Sequence, residues 1–133
     1  MKDIVKKLSK VESEIAQIKG PFHLFAFFLR EDAQDKWDLI VAAPWIKRDK
    51  AAALKFIANT VQKSLQPSEL IKLSRIVLVD DNNTALKAIQ SAVQVKHEIA
   101  EVKDSVFFGL KIKHAFIITS NKDTHTESTV KVK

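Results

Sequence analysis

The chain of 133 residues contains no cysteine, no tyrosine and only two glycines. Without cysteine it cannot form a disulfide framework, a thiolate nucleophile or a cysteine-ligated metal centre. Dinucleotide-binding fingerprints and P-loops need glycine where the backbone approaches a phosphate, so the scarcity of glycine excludes both kinds of site. The same scarcity leaves no serine in a nucleophile-elbow motif. These absences remove the commonest nucleotide-binding and hydrolase classes.

Long apolar runs are also absent. The longest run has about eight residues, which is too short for a helix that spans a bilayer. The first twenty or so residues alternate charged and single apolar positions, unlike the apolar core of a signal peptide. The excess of 22 Lys and Arg over 16 Asp and Glu gives a net charge of +6, which favours acidic partners and solubility. We therefore expect a soluble cytoplasmic protein with no membrane partner and no cofactor.

Two apolar runs, residues 22–29 and 37–44, are the clearest structural signal in the chain. A charged segment, residues 30–36, joins them, and this arrangement predicts an antiparallel hairpin. In the first run both alternating sets of side chains are mostly apolar, which predicts a strand that is covered on both faces. The domain should therefore have layers, with a sheet between helices.

The first twenty residues carry one apolar stripe. It consists of Ile4, Leu8, Val11, Ile15 and Ile18, at steps of four and three residues. This spacing predicts an amphipathic helix over residues 1–19 that ends at Gly20. Such a stripe either packs on the protein's own sheet or mediates self-association or binding of a partner helix.

Polar residues mark the starts of the later helices. Asp49 and Ser68 are predicted N-caps, and the run of Asp and Asn at residues 80–83 offers caps to a further helix. A compact strand is predicted at residues 75–79, and two more strands follow near the end of the chain, joined by a turn or bulge at residues 107–109.

These elements predict an α/β fold, with α+β as the alternative. Their order is helix, strand, strand, helix, strand, helix, strand, strand, and the two crossovers predict parallel pairs in a mixed sheet of about five strands. We expect one domain over residues 1–120 with helices packed on the faces of the sheet. The polar tail, residues 121–133, is expected to be flexible.

One candidate site lies where two predicted strands end. Ligands of open sheets collect beyond the carboxyl ends of parallel strands, where helices also begin. The residues that follow these two strands are Trp45, Lys47, Arg48, Asp80 and Asp81. They could bind a phosphate or carboxylate, although capping residues and a solvated turn explain the same pattern.

Carboxylates near these strands also raise the possibility of magnesium-dependent phosphoryl chemistry. The candidate residues are Asp38, Asp80, Asp81, Glu101 and Lys103. A helix interrupts the strands where the common nuclease core has three strands in succession, which argues against this reading.

The four histidines, His23, His97, His114 and His125, do not have the spacing of metal ligands. His23 and His114 lie inside apolar strands, where a hydrogen-bonded histidine of the core or sheet edge is the common outcome. No metal site is therefore predicted from them.

A basic surface for nucleic acid is the remaining alternative. Its candidate residues are Lys47, Arg48, Lys111 and Lys113, with aromatic residues at 107 and 108 beside the second pair. The segment does not match the RNA-recognition consensus. A buried strand with solvated lysines gives the same pattern.

No catalytic signature remains. The sequence therefore favours a non-enzymatic interaction domain that acts by self-association or by binding another macromolecule. A basic nucleic-acid-binding module is the first alternative, and a small-ligand or magnesium site at the strand ends is the second.

Overall fold

The computed structural model describes residues 2–32 and 35–121. Its elements are α1 (Lys2–Lys19), β1 (Leu24–Arg30), β2 (Trp37–Ala42), a 3-10 turn (Pro44–Arg48), α2 (Lys50–Ser64), α3 (Pro67–Leu70), β3 (Leu73–Leu78), α4 (Thr84–Ala92), β4 (Ala100–Phe107) and β5 (Leu110–Ser120). The order of the principal elements and the mixed five-stranded sheet confirm the predicted α/β fold.

The strands are arranged in the order β3-β2-β1-β5-β4. β2 and β3 are parallel, as predicted from the crossover through α2, and the other neighbouring strands are antiparallel. The second predicted parallel pair is not formed. α4 and the segment after it carry the chain from β3 at one edge to β4 at the other, because β4 forms a tight hairpin with β5 and β5 pairs with β1.

One face of the sheet is covered by α1 and α2. Four of the five residues of the apolar stripe on α1 are at most 5% exposed, namely Ile4, Leu8, Val11 and Ile15. They share one core with Ile57 and Val61 of α2 and with aromatic residues of the sheet. The apolar face of α1, which the sequence indicated as a possible surface for self-association, is therefore mostly buried in the protein's own core. Ile18 is different, because it is 68% exposed.

The predicted ends of three helices agree with the structure. Gly20 ends α1 at a φ of 117°, and its N–H donates to the carbonyl of Ala16 at 3.0 Å. The Asp49 carboxylate caps α2 by accepting the N–H of Ala52 at 3.1 Å. Asn83 Oδ1 caps α4 in the same way by accepting the N–H of Ala85 at 2.8 Å.

The predicted cap at Ser68 is wrong. Pro67 is the first residue of α3, a position whose N–H makes no hydrogen bond within a helix, so proline is tolerated there. Gln66 is therefore the N-cap residue. The Gln66 N–H donates to Glu69 Oε1 at 2.8 Å, and Lys7 Nζ of α1 donates to the same carboxylate at 2.8 and 3.0 Å. The bond from Gln66 and the neighbouring Lys7 ammonium lower the pKa of Glu69.

Glu12 of α1 is fully buried, although it is charged. Its Oε2 accepts the hydroxyl of Thr119 on β5 at 2.8 Å, and its Oε1 lies 2.7 Å from Nδ1 of His97 in the segment between α4 and β4. Both carboxylate oxygens thus have partners, and Glu12 joins α1 to two distant parts of the chain.

The chain after β5 begins at Asn121, whose N–H donates to the carbonyl of His23 at 3.0 Å. The rest of the predicted flexible tail, residues 122–133, lies outside the described residues. Across ranges 2–32 and 35–121, no helix has the length and apolar character needed to cross a membrane.

Candidate ligand-binding pocket

The second face of the sheet is only partly covered. α4 has nine residues, and its Leu86 and Ile89 belong to the core on this face. Beside the start of α4 a cavity of about 290 Å³ remains open. We call it the Arg–Asp pocket. Its lining residues are Phe28, Arg30, Asp38, Ile40, Arg75, Val77, Leu78, Val79, Asp80, Asn83, Phe108, Leu110 and Ile112.

The alternation of β2 places a carboxylate on the pocket side. Leu39 and Val41 belong to the core beneath α1 and α2, whereas Ile40 and Ala42 belong to the opposite core. Because successive side chains of a strand point to opposite faces, Asp38 shares the face of Ile40. Asp38 is only 2% exposed.

Two arginines on the neighbouring strands approach this carboxylate. Arg30 Nε at the end of β1 lies 3.1 Å from Asp38 Oδ2, and Arg75 Nε on β3 lies 3.3 Å from the same oxygen. The Arg30 side chain is 24% exposed and that of Arg75 is 52% exposed. One end of the pocket thus holds two guanidinium groups and one buried carboxylate, and the exposed carboxylate of Asp32 lies 3.6 Å from Nη1 of Arg30 beside them.

Hydrogen bonding at this end is incomplete. Asp38 Oδ1 is buried and has no hydrogen-bond partner within the described part of the chain, and the same is true of Arg30 Nε despite its 3.1 Å approach. Buried polar atoms are nearly always paired, and leaving one unpaired costs about 1–3 kcal/mol. A bound ligand with a hydrogen-bond donor at this position would remove that cost.

The hairpin between β4 and β5 forms one wall of the pocket, and the backbone of its turn is strained. Its two central residues, Phe108 and Gly109, have φ values of 55° and 73°. Such a turn normally carries Asn-Gly or Gly-Gly, and a bulky residue with positive φ is rare. Phe107 stacks on Phe28 at 5.4 Å, and the strained Phe108 lines the cavity. Strain of this kind often accompanies functional sites.

The opposite end of the pocket is polar but already paired. Asp80 Oδ1 lies 3.0 Å from Nζ of Lys50 at the start of α2. Asn83 uses its side-chain oxygen to cap α4. The middle of the pocket between the two ends is apolar, so the Arg30–Asp38–Arg75 cluster is its distinctive chemical feature.

The predicted rim at the ends of β2 and β3 is formed, because these strands are parallel. Its charged groups are largely paired with neighbours, since Asp80 meets Lys50 and Asp81 Oδ1 lies 3.0 Å from His23 Nδ1. Trp45 Nε1 donates to the carbonyl of Gly20 at 3.1 Å, so the Trp45 side chain links the 3-10 turn to the residue that ends α1.

Arg48 and Trp45 line a different groove, between the end of α1 and the start of α2. Exposed Ile18 lies in the same groove, whose volume is about 300 Å³. Lys47 is exposed in the 3-10 turn beside it. Of the five residues predicted for the rim site, only Asp80 lines the Arg–Asp pocket.

The four basic residues predicted to bind nucleic acid do not form one patch. Lys47 and Arg48 follow the carboxyl end of β2, whereas Lys111 and Lys113 lie near the start of β5. In the register of the sheet, the start of β5 meets the far end of β1, at Arg30. The two pairs are therefore at opposite ends of a strand of seven residues, roughly 20 Å apart.

The carboxylates considered for magnesium are not brought together either. Glu101 and Lys103 lie on β4, which is separated from β2 by two strands. Glu101 pairs with His114 at 2.5 Å, and His114 packs beside Trp37, in the core beneath α1, away from the face of Asp38. Residues 2–32 and 35–121 contain no group of three His, Asp or Glu side chains suited to a metal ion.

Each histidine in the described ranges pairs with a carboxylate: His23 with Asp81, His97 with Glu12 and His114 with Glu101. His114 is thus a hydrogen-bonded residue of β5, as expected, whereas His23 lies in the bend just before β1 and not inside the strand. His125 lies outside the described residues.

The sequence reasoning missed Arg30 and Arg75. Arg30 directly follows one apolar run, Asp38 lies near the start of the next, and Arg75 directly precedes the apolar residues of a third. A charge beside each of three apolar runs is a pattern that the sequence shows. The three residues form a site because the strand order β3-β2-β1 places them side by side.

Comparison of the chain with protein-family models, with curated proteins and with solved structures found no match.

Proposed function

We propose that this protein is a non-enzymatic binding domain and that the Arg–Asp pocket holds a small organic ligand. The observation that carries the proposal is the buried carboxylate of Asp38, which lies between two guanidinium groups and has one oxygen unpaired within residues 2–32 and 35–121. A ligand that supplies a hydrogen-bond donor removes the cost of that unpaired oxygen.

The shape and lining of the pocket support a small molecule over a large one. Ligand sites are concave and mostly apolar, with a few polar groups that fix orientation, and their volumes begin near 300 Å³. The Arg–Asp pocket has about that volume, an apolar middle and one charged end. The strained hairpin at Phe108 supports the same assignment.

The test is a screen of small organic fragments against the whole protein by nitrogen–proton correlation NMR. We expect the fragments that bind to shift the amide signals of pocket residues such as Val77 and Ile112. A Leu110→Trp variant, which fills the pocket from an exposed hairpin position, should abolish these shifts. Val106→Trp is the matched control, because Val106 is an exposed apolar residue of the same hairpin outside the lining.

Two results would contradict the proposal. In the first, no fragment shifts the pocket signals. In the second, the shifts persist unchanged in Leu110→Trp, which would mean that the fragments bind elsewhere.

A second candidate function is self-association through the groove at the end of α1. Ile18 is the largely exposed member of the α1 stripe, and it lines this groove together with Trp45 and Arg48. Trp and Arg are enriched among the residues that contribute most to protein interfaces. Light scattering of the Ile18→Lys variant tests this candidate.

We also propose that the protein resides in the cytoplasm, which agrees with a sequence that has no cysteine to form disulfides.

A further inference from the structure

The charged end of the Arg–Asp pocket selects among ligand head groups. A simple anion would approach the carboxylate of Asp38, and a simple cation would approach two guanidinium groups. A purely apolar ligand would leave Asp38 Oδ1 buried and unpaired. The ligand that satisfies all three residues carries a donor of positive charge and an acceptor of negative charge close together.

Such a head group can bind at the ion pair between Asp38 on β2 and Arg75 on β3. Arg75 is half-exposed, so its guanidinium can leave Asp38 with little loss of packing, whereas Arg30 is more buried and can remain beside the carboxylate. An ammonium group inserted at Asp38 donates to Oδ1, the oxygen that has no partner among the described residues, while Oδ2 stays beside Arg30. A carboxylate on the same ligand then accepts the guanidinium of Arg75, and both charges stay paired.

The rest of the pocket is apolar and favours a ligand whose remaining part is apolar. Beyond the charged end, the floor and walls are formed by Phe28, Ile40, Val77, Phe108 and Ile112. The far end is already paired through Asp80 and Lys50. A short aliphatic or aromatic side chain on the carbon that bears the head group fits this surface.

We infer that the Arg–Asp pocket binds a free α-amino acid with an apolar side chain. Its ammonium group pairs with Asp38, its carboxylate pairs with Arg75, and its side chain packs against the apolar floor. This inference rests on the proposed function, since it names the ligand class of the same pocket.

The test is isothermal titration calorimetry of the whole protein with leucine and with phenylalanine. For whichever amino acid binds, two analogues isolate the head group; for leucine they are isoamylamine, which lacks the carboxylate, and isocaproic acid, which lacks the ammonium. We expect each analogue to bind about tenfold to a hundredfold more weakly, the range for loss of one charged hydrogen bond. An analogue that binds as tightly as the amino acid would overturn the inference.

Variants locate the binding. Arg75→Gln should weaken binding of the amino acid by a similar factor, whereas the amine analogue should bind at least as tightly as to the native protein, because no guanidinium then competes for Asp38. Arg48→Gln is the matched control, since it removes the same charge at an exposed position outside the pocket. Asp38→Asn should restrict binding to the acid analogue. Because Asp38 is buried and this variant can fail to fold, the analogue series and Arg75→Gln decide the matter without it.

The fragment screen separates failure of this inference from failure of the proposed function. If fragments shift the pocket signals but neither amino acid binds, the pocket is a ligand site for another class of molecule and the inference is overturned. If neither fragments nor amino acids bind, both proposals are overturned.

Discussion

Glu12 and Asp38 are both buried carboxylates, but they differ in how completely they are paired. Both oxygens of Glu12 have partners, Thr119 and His97, on separate parts of the chain. Asp38 has one oxygen near two arginines and one that has no partner in the described part of the chain. A fully paired carboxylate stabilises the fold, whereas an incompletely paired one costs free energy until something binds.

We predict that Glu12→Ala lowers the free energy of unfolding by about 2–3 kcal/mol, because it leaves the buried Thr119 hydroxyl without its acceptor and removes packed atoms. Glu12→Gln should cost less, since the amide keeps the shape and one acceptor oxygen. Urea unfolding at neutral pH measures both changes. Glu14→Ala is the control, because Glu14 is exposed on the same helix and should change stability by less than about 0.5 kcal/mol. Equal effects at positions 12 and 14 would contradict a stabilising role for the Glu12 network.

At the scale of elements, the short α4 determines how much of the second sheet face stays open. It begins at Asn83, whose side-chain oxygen accepts the N–H groups of Ala85 at 2.8 Å and Leu86 at 3.3 Å. Asn83 also lines the Arg–Asp pocket, so the start of the helix is one boundary of the cavity. A helix of nine residues depends strongly on its cap and its packing.

We predict that Asn83→Ala lowers the free energy of unfolding by about 1 kcal/mol, the usual cost of losing an N-cap. The midpoint of urea unfolding reports this change. Asn82→Ala is the matched control, because the neighbouring asparagine is exposed and is not the cap. If the two variants lose stability equally, the side chain of Asn83 does not stabilise α4.

At the scale of the whole molecule, the fold decides which apolar residues remain available to a second copy. The sheet takes up most of the stripe on α1, and Ile18 stays exposed beside Trp45. Ile71, which follows α3, is equally exposed at 68% but does not line this groove.

We predict that the protein is a dimer at micromolar concentration and that Ile18→Lys makes it a monomer, because a charge in the groove cannot be buried by a second copy without a partner. Light scattering coupled to size-exclusion chromatography measures the mass. Ile71→Lys should leave the dimer intact. A native protein that is monomeric throughout this range, or a dimer that survives in Ile18→Lys, would rule out the groove as the interface.

Much of the fold could be predicted from local patterns. The apolar stripe on α1, the two apolar runs of the β1–β2 hairpin and the caps at Asp49 and within residues 80–83 act over a few residues, so the sequence alone indicates them. The mistake at Ser68 is also local, since Pro67 outweighed a serine as the starting signal of α3.

The sequence by itself determined the layered α/β class, because a strand with apolar residues on both sides must be covered on both faces and the helical patterns between the strands provide that cover. Only the tertiary structure decided the strand order, since pairing between distant strands depends on which surfaces fit and not on any single segment. That order moved Glu101 away from Asp38, and the antiparallel register of β5 on β1 placed Lys111 at the end of the sheet opposite to Lys47. The order also set Arg30 and Arg75 on either side of Asp38, so that Arg75, which is distant in the chain, meets the two charges of the β1–β2 hairpin.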